Sequence, residues 1–127
     1  MDAHLRSTQP SATGTSGMTR VEVASYPISL FIAGDVWQAE TTCLEYCDVV
    51  GLCVTVTETT YCYTGGEEAG VIVGLIHYPR FPSTPAAIWA HGEALGAKLR
   101  DALGQQSYTI QAPDRTVWFS HGEATSA

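Results

Sequence analysis

Between Arg20 and Arg80 the chain contains no lysine and no arginine, although eight of its thirteen acidic residues fall in that interval. A half-chain with such a field repels phosphate backbones, which excludes nucleic acid as its partner. Long apolar runs are missing too. The longest, ISLFIA (28–33) and VIVGLI (71–76), fall far short of the ~20 residues a membrane-spanning helix needs, so no membrane partner is expected. Cys-x₂-Cys pairs, the turn-held unit of most structural zinc sites and of dithiol redox motifs, do not occur. Neither does a Gly-x-Ser-x-Gly elbow, a phosphate loop or a dinucleotide fingerprint; GGEEAG (65–70) has no lysine beside it. The opening MDAHLRSTQP leads into no apolar segment, so no secretory signal is read there. Four cysteines in a chain without an export signal point to reduced thiols and a cytoplasmic setting.

What is present describes a globular protein. The 127 residues are 45% hydrophobic and 15% charged, with a net charge of −7, a balance that suits one domain with a real core. Residues 1–20 are rich in Ser, Thr and Gly and lack apolar periodicity. They read as a flexible leader or a cloning remnant, with Met18 available as a natural start. Residues 21–120 form the single α+β domain, and 121–127 a small polar tail. HGEA recurs at 91–94 and 121–124, which in two different contexts is coincidence.

The elements follow from periodicity and punctuation. SYPISLFIA (25–33) is nearly continuous in apolar residues and predicts a strand covered on both faces. Gly34 breaks it, and Asp35 with Gln38 three residues on makes a capping box for a helix over about 36–50. Advancing 100° per residue places Val36, Ala39, Cys43, Cys47 and Val50 on one buried stripe, so the two cysteines read as small core hydrophobes. Gly51 suits the helix C-terminus. LCVTVTETTYCYT (52–64) alternates as a strand, and its register puts Glu58 on the apolar face unless a bulge at Thr59–Thr60 turns it outward. TGGEEAG (64–70) predicts a hairpin with Glu67 and Glu68 at its tip, leading into the strand VIVGLIHY (71–78). After the proline-punctuated PRFPSTP, Ser83 or Thr84 with Pro85 opens a second helix whose inner face carries Ile88, Gly92, Leu95, Leu99, Ala102 and Leu103. SYTIQ, the turn APDR and TVWFS close the chain as a second hairpin.

Strand, helix, strand, strand, helix, strand, with one further strand, is the order of a ferredoxin-like split β-α-β fold: an antiparallel sheet with both helices on one face. Such a sheet leaves its other face open, yet 71–76 is apolar at both parities. Either the C-terminal hairpin with Trp118 covers that face, or another copy of the protein does, and a homo-oligomer through the sheet is the preferred reading.

Chemistry is sparse. Cys-x₃-Cys on a helix, followed by Cys53 and Cys62, is not a metal-ligand pattern, and His91-Gly-Glu93 lacks the Pro-Cys-x-x-Cys partner of zinc deaminases, so no metal and no cofactor is assigned. Three functional readings follow. The first is a non-catalytic interaction protein, an inhibitor or regulator, that docks a basic protein partner on Glu40, Glu45, Asp48, Glu67 and Glu68. The second binds a small anion at the HYPRFP corner, with Arg80 as clamp, His77 beside it, and Tyr78 and Phe81 as walls. The plainer account of that corner makes Phe81 a core plug and Arg80 half of an ion pair. The third is an enzyme with Glu58 and His77 as acid and base, which requires the two to meet in one cleft.

Overall fold

The caps open and close the helices where local chemistry demands. In the computed structural model, which describes residues 17–120, Asp35 lies outside the first helix with its carboxylate accepting the Gln38 amide, and α1 runs Val36–Val50. Gly51 ends it at φ 72°, a left-handed geometry that costs glycine little. Thr84 caps α2 (Pro85–Leu103) through the Ala87 amide, Pro85 fills the first turn, and Gly104 closes it at φ 67°. The readings of 1–16 and of the tail 121–127 lie outside the described residues; 17–20 carry no regular structure.

Five strands complete the domain: β1 (Ile28–Ala33), β2 (Val54–Tyr63), β3 (Gly66–Leu75), β4 (Ser107–Ala112) and β5 (Arg115–Ser120). They form one antiparallel sheet in the order β2-β3-β1-β4-β5, with both helices packed together against it. The α+β class, the antiparallel sheet and the paired helices are those the sequence predicts. Alternation sorts the strands: Ile28, Leu30, Ile32, Val71, Val73, Leu75, Tyr108 and Ile110 are buried under the helices, where they meet Ala39, Cys43, Tyr46, Ile88, Leu95 and Leu99. Each such aliphatic chain contributes about 1.5–3 kcal/mol by leaving water.

Several details differ from expectation. β1 begins at Ile28, after Pro27, and is fully buried on one face only. Val50 is exposed on α1, and Tyr46 takes its place in the core; Ala102 is exposed on α2 while Gly96 is buried. No bulge interrupts β2: its register with β3 runs unbroken from Val54↔Leu75 to Tyr63↔Gly66, and Glu58 reaches solvent without one. The hairpin closes on Thr64 and Gly65 alone, the glycine at φ 94°. Glu67 and Glu68 are therefore strand residues opposite Cys62 and Tyr61, not a loop tip, and they point to opposite faces. The C-terminal hairpin does not fold over the open face; β4 and β5 widen the sheet in its own plane.

Candidate functional site

The chemistry-bearing residues gather where α1 passes the edge strand β2. The amides of Gly51 and Leu52 both return to the Cys47 carbonyl, at 2.8 and 3.3 Å, and turn the chain from the end of α1 toward β2. Small side chains on the inner side of α1 leave a gap there. A concavity of about 510 Å³ is lined by Trp37, Glu40, Cys43, Leu44, Val54 and Val56, with Thr41 and Cys47 between. A second, of about 560 Å³, shares Thr41, Leu44 and Cys47 and adds Glu45, Asp48 and Leu52. Together they make one open groove of ligand size along the helix.

Its character is acidic and soft. Trp37 and Leu44 are 74% and 73% exposed, an indole and an isobutyl group offered to solvent. Glu40, Glu45 and Asp48, read from sequence as a protein-docking face, are groove residues. Cys43 forms part of the floor. Burial pushes its thiol up to about 12, helped by the negative fields of Cys47 and Glu40, so it is neutral at any physiological pH. Burial also raises Cys47, as does Cys53, while a hydrogen bond from the Val54 amide works in the opposite sense. All four thiols are free, and Cys62 is exposed. Among the described residues, no three His, Cys, Asp or Glu side chains converge as a metal ion would require.

The HYPRFP corner is built differently. His77 Nδ1 donates to the Ala24 carbonyl at 2.7 Å, its Nε2 accepts the Ser83 amide at 3.0 Å, and its ring stacks on Tyr26 with centroids 4.6 Å apart. The Tyr26 hydroxyl donates to the Ser83 carbonyl. Both ring nitrogens are thus spent on holding the segment that precedes β1 to the loop before α2. Tyr78 is turned toward Cys53, whose hydrogen bond and charge raise its phenol. Arg80 is exposed and has no ion pair among the described residues; Phe81 is 39% exposed and plugs no core. The corner ties two segments together, and Arg80 stands exposed beside it. Glu58 and His77 also fail to meet. Glu58 pairs with Val71, and six residues of β3 and its exit, about 20 Å, separate that level from His77.

Sequence reasoning missed three residues that the fold makes prominent. Trp37 sits on the polar side of an amphipathic helix, which was the available signal. Trp89 and Arg115 meet across α2 and β5: the guanidinium carbon lies 3.8 Å from the indole centroid, and the indole N–H donates to Glu93 at 2.6 Å. They border a smaller concavity of about 350 Å³ with Tyr26, Pro85, Pro113 and Asp114. Aromatic, with one arginine and one aspartate in its lining, it differs from the acidic groove.

No family model matches the chain, and no curated protein matches it. Two solved structures share its fold. A phage SAM lyase in complex with S-methyl-5'-thioadenosine is 15% identical, with a TM-score of 0.59 over 83% of this chain and 96% of the other. A phage SAM lyase in the apo state is also 15% identical, with a TM-score of 0.64 over 85% and 98%. This likeness corrects the reading of a non-catalytic interaction protein: the fold to which that reading was attached is one that, in the proteins it matches, houses a lyase and its nucleoside ligand.

Proposed function

We propose that this chain is a small enzyme that binds a cationic adenosyl sulfonium of the S-adenosylmethionine type in the α1–β2 groove and cleaves it as a lyase. The observation that carries the reading is the likeness, over more than four fifths of both chains, to a SAM lyase holding S-methyl-5'-thioadenosine. The groove supports it chemically. A sulfonium is a permanent cation that neither donates nor accepts a hydrogen bond, so it is recognised by carboxylate fields and by π-faces. Glu40 supplies the carboxylate, with Glu45 and Asp48 further along, and Trp37 supplies an exposed ring for the cation or for the adenine. Cys43, held neutral, offers polarisable sulfur without a competing charge.

Cleavage between the sulfonium sulfur and the amino-acid carbon returns the bonding pair to sulfur and leaves a neutral thioether. That bond breaks as the substrate's own carboxylate oxygen attacks the carbon and closes a lactone, or as a base removes a proton from the neighbouring carbon and leaves an alkene; Glu40, which lines the concavity with Trp37, is the candidate base. The setting is cytoplasmic, where four thiols stay free.

The test is direct. Purified protein is incubated with S-adenosylmethionine, products are followed by liquid chromatography and mass spectrometry, and ligand-induced thermal shift is recorded in parallel. Appearance of S-methyl-5'-thioadenosine, lost in Glu40→Gln and weakened more than ten-fold in Trp37→Ala, is the expected result. Stabilisation without product reduces the reading to a binder. Neither product nor shift at millimolar ligand overturns it.

A further inference from the structure

One register row crosses all five strands on the side of the sheet that faces away from the helices. Thr57 pairs with Ile72, Ile72 with Phe31, Phe31 with Thr109, and Thr109 with Trp118. The row beside it reads Thr55, Gly74, Ser29, Gln111 and Thr116. Beyond Ile72 and Phe31 the face continues through Thr59, Gly70 and Ala33 and ends at Tyr61, whose ring lies over Gly70, and its partner Glu68. Alternation places all of these on one surface. Only Glu68, at the border, carries a charge, in a chain whose net charge is −7. Trp118 is 59% exposed at one end of the row, while Ile72 and Phe31 are half-buried among their neighbours in the sheet, with neither helix on that side.

We infer that a second copy of this chain covers this face, seated on Phe31, Ile72 and Trp118. The inference stands apart from the proposed lyase reading and would survive its failure. Charge selects the occupant. A basic partner would be recognised by a cluster of acids, and this plate has a single one, Glu68, at its border. Two copies at −7 each repel wherever their acidic surfaces approach, so they meet best through the part of the surface that carries least charge. The fringe is also self-complementary, because threonine, serine and glutamine both donate and accept and pair with their own kind.

Area agrees with the charge. Five strands about 4.8 Å apart, each contributing about five residues of roughly 3.3 Å, make a plate of about 400 Å² in projection. An ordinary interface buries about 800 Å² of accessible surface per partner, so the contact must use the whole plate. A charge placed on the row then has nowhere to escape.

Native mass spectrometry and light scattering at micromolar concentration test this on the full chain. Expected is an oligomer of a whole number of copies that falls to monomer, with association weakened more than ten-fold, in Trp118→Glu. Val49→Glu, 84% exposed on α1 and outside the groove, should leave the oligomer intact. Circular dichroism checks that the variants fold. Should Trp118→Glu fail that check, Thr57→Lys, exposed at the opposite end of the row, takes its place. A monomeric wild type, or an oligomer that Trp118→Glu and Thr57→Lys both leave unchanged, overturns the inference.

Discussion

The two helices pack on the same sheet and do different work. α2 buries Ile88, Gly92, Leu95, Gly96 and Leu99; α1 buries only Ala39, Cys43 and Tyr46. α2 lies close because two glycines let it. A Cβ added at Gly96 would stand 2.3 Å from the Tyr108 ring, which is itself stacked on Phe119 at 4.8 Å and hydrogen-bonded to the Glu93 carbonyl. α1 has no such contact, keeps small thiols toward β2, and turns Trp37, Leu44 and Val49 to water. An exposed tryptophan and leucine on a helix that leaves a groove beside it are poor contributors to stability, which is why they point to binding. The contrast separates scaffold from site: packing density on one helix, accessible chemistry on the other.

The largest effect that would sharpen this contrast is in α2. Leu95 is fully buried against the sheet, and Leu95→Ala removes its packing and leaves a cavity, at a cost of about 2–5 kcal/mol. Chemical denaturation should show that loss with an unchanged slope. A cost under about 1 kcal/mol would mean that α2 is not the anchor of the fold.

A smaller and pH-dependent effect belongs to the buried thiol of α1. Burial pushes the Cys43 thiol up to about 12 in the folded chain, from the 9.0 of an unburied thiol. The unfolded chain therefore releases its proton first as pH rises. The stabilisation is intact below about pH 9 and is lost progressively between 9 and 12, at up to about 1.4 kcal/mol per pH unit. In Cys43→Ala the stability curve should be flatter over that window. At pH 8, Cys62 should alkylate rapidly while Cys43 stays protected until the chain unfolds; equal rates would show that the floor of the groove is open to water.

Local signals were legible in the sequence and distant ones were not. Asp35, Gly51, Thr84 with Pro85, and Gly104 act within a few residues of themselves, so the helix ends could be read directly. Glu67 and Glu68 could not be placed, because where the hairpin closes decides whether they are loop or strand, and the turn needs only Thr64 and Gly65. His77 looked like free chemistry because its partners, Ala24 and Ser83, come from other segments. The acids Glu40, Glu45 and Asp48 were visible as charge, but the groove they line exists only once β2 lies beside α1. The apolar double parity of 71–76 corresponds to a strand whose face away from the helices no other described element packs on. That the last hairpin widens the sheet instead of closing over it depends on β4 pairing with β1.

The smallest effect on stability is the one that discriminates best. Leu44 is the α1 counterpart of Leu95 in chemistry and its opposite in setting, 73% exposed against fully buried. Leu44→Ala gives up little burial and creates no cavity, so thermal and chemical stability should stay within about 0.5 kcal/mol of the parent. Leu44 lines both halves of the groove, so the same substitution should weaken a ligand seated there while leaving the fold intact. Parallel thermal melts with and without S-adenosylmethionine separate the two quantities. An unchanged melting point with a diminished ligand shift assigns α1 to the site. A large drop in the ligand-free melting point would instead make Leu44 part of the scaffold and erase the division between the helices.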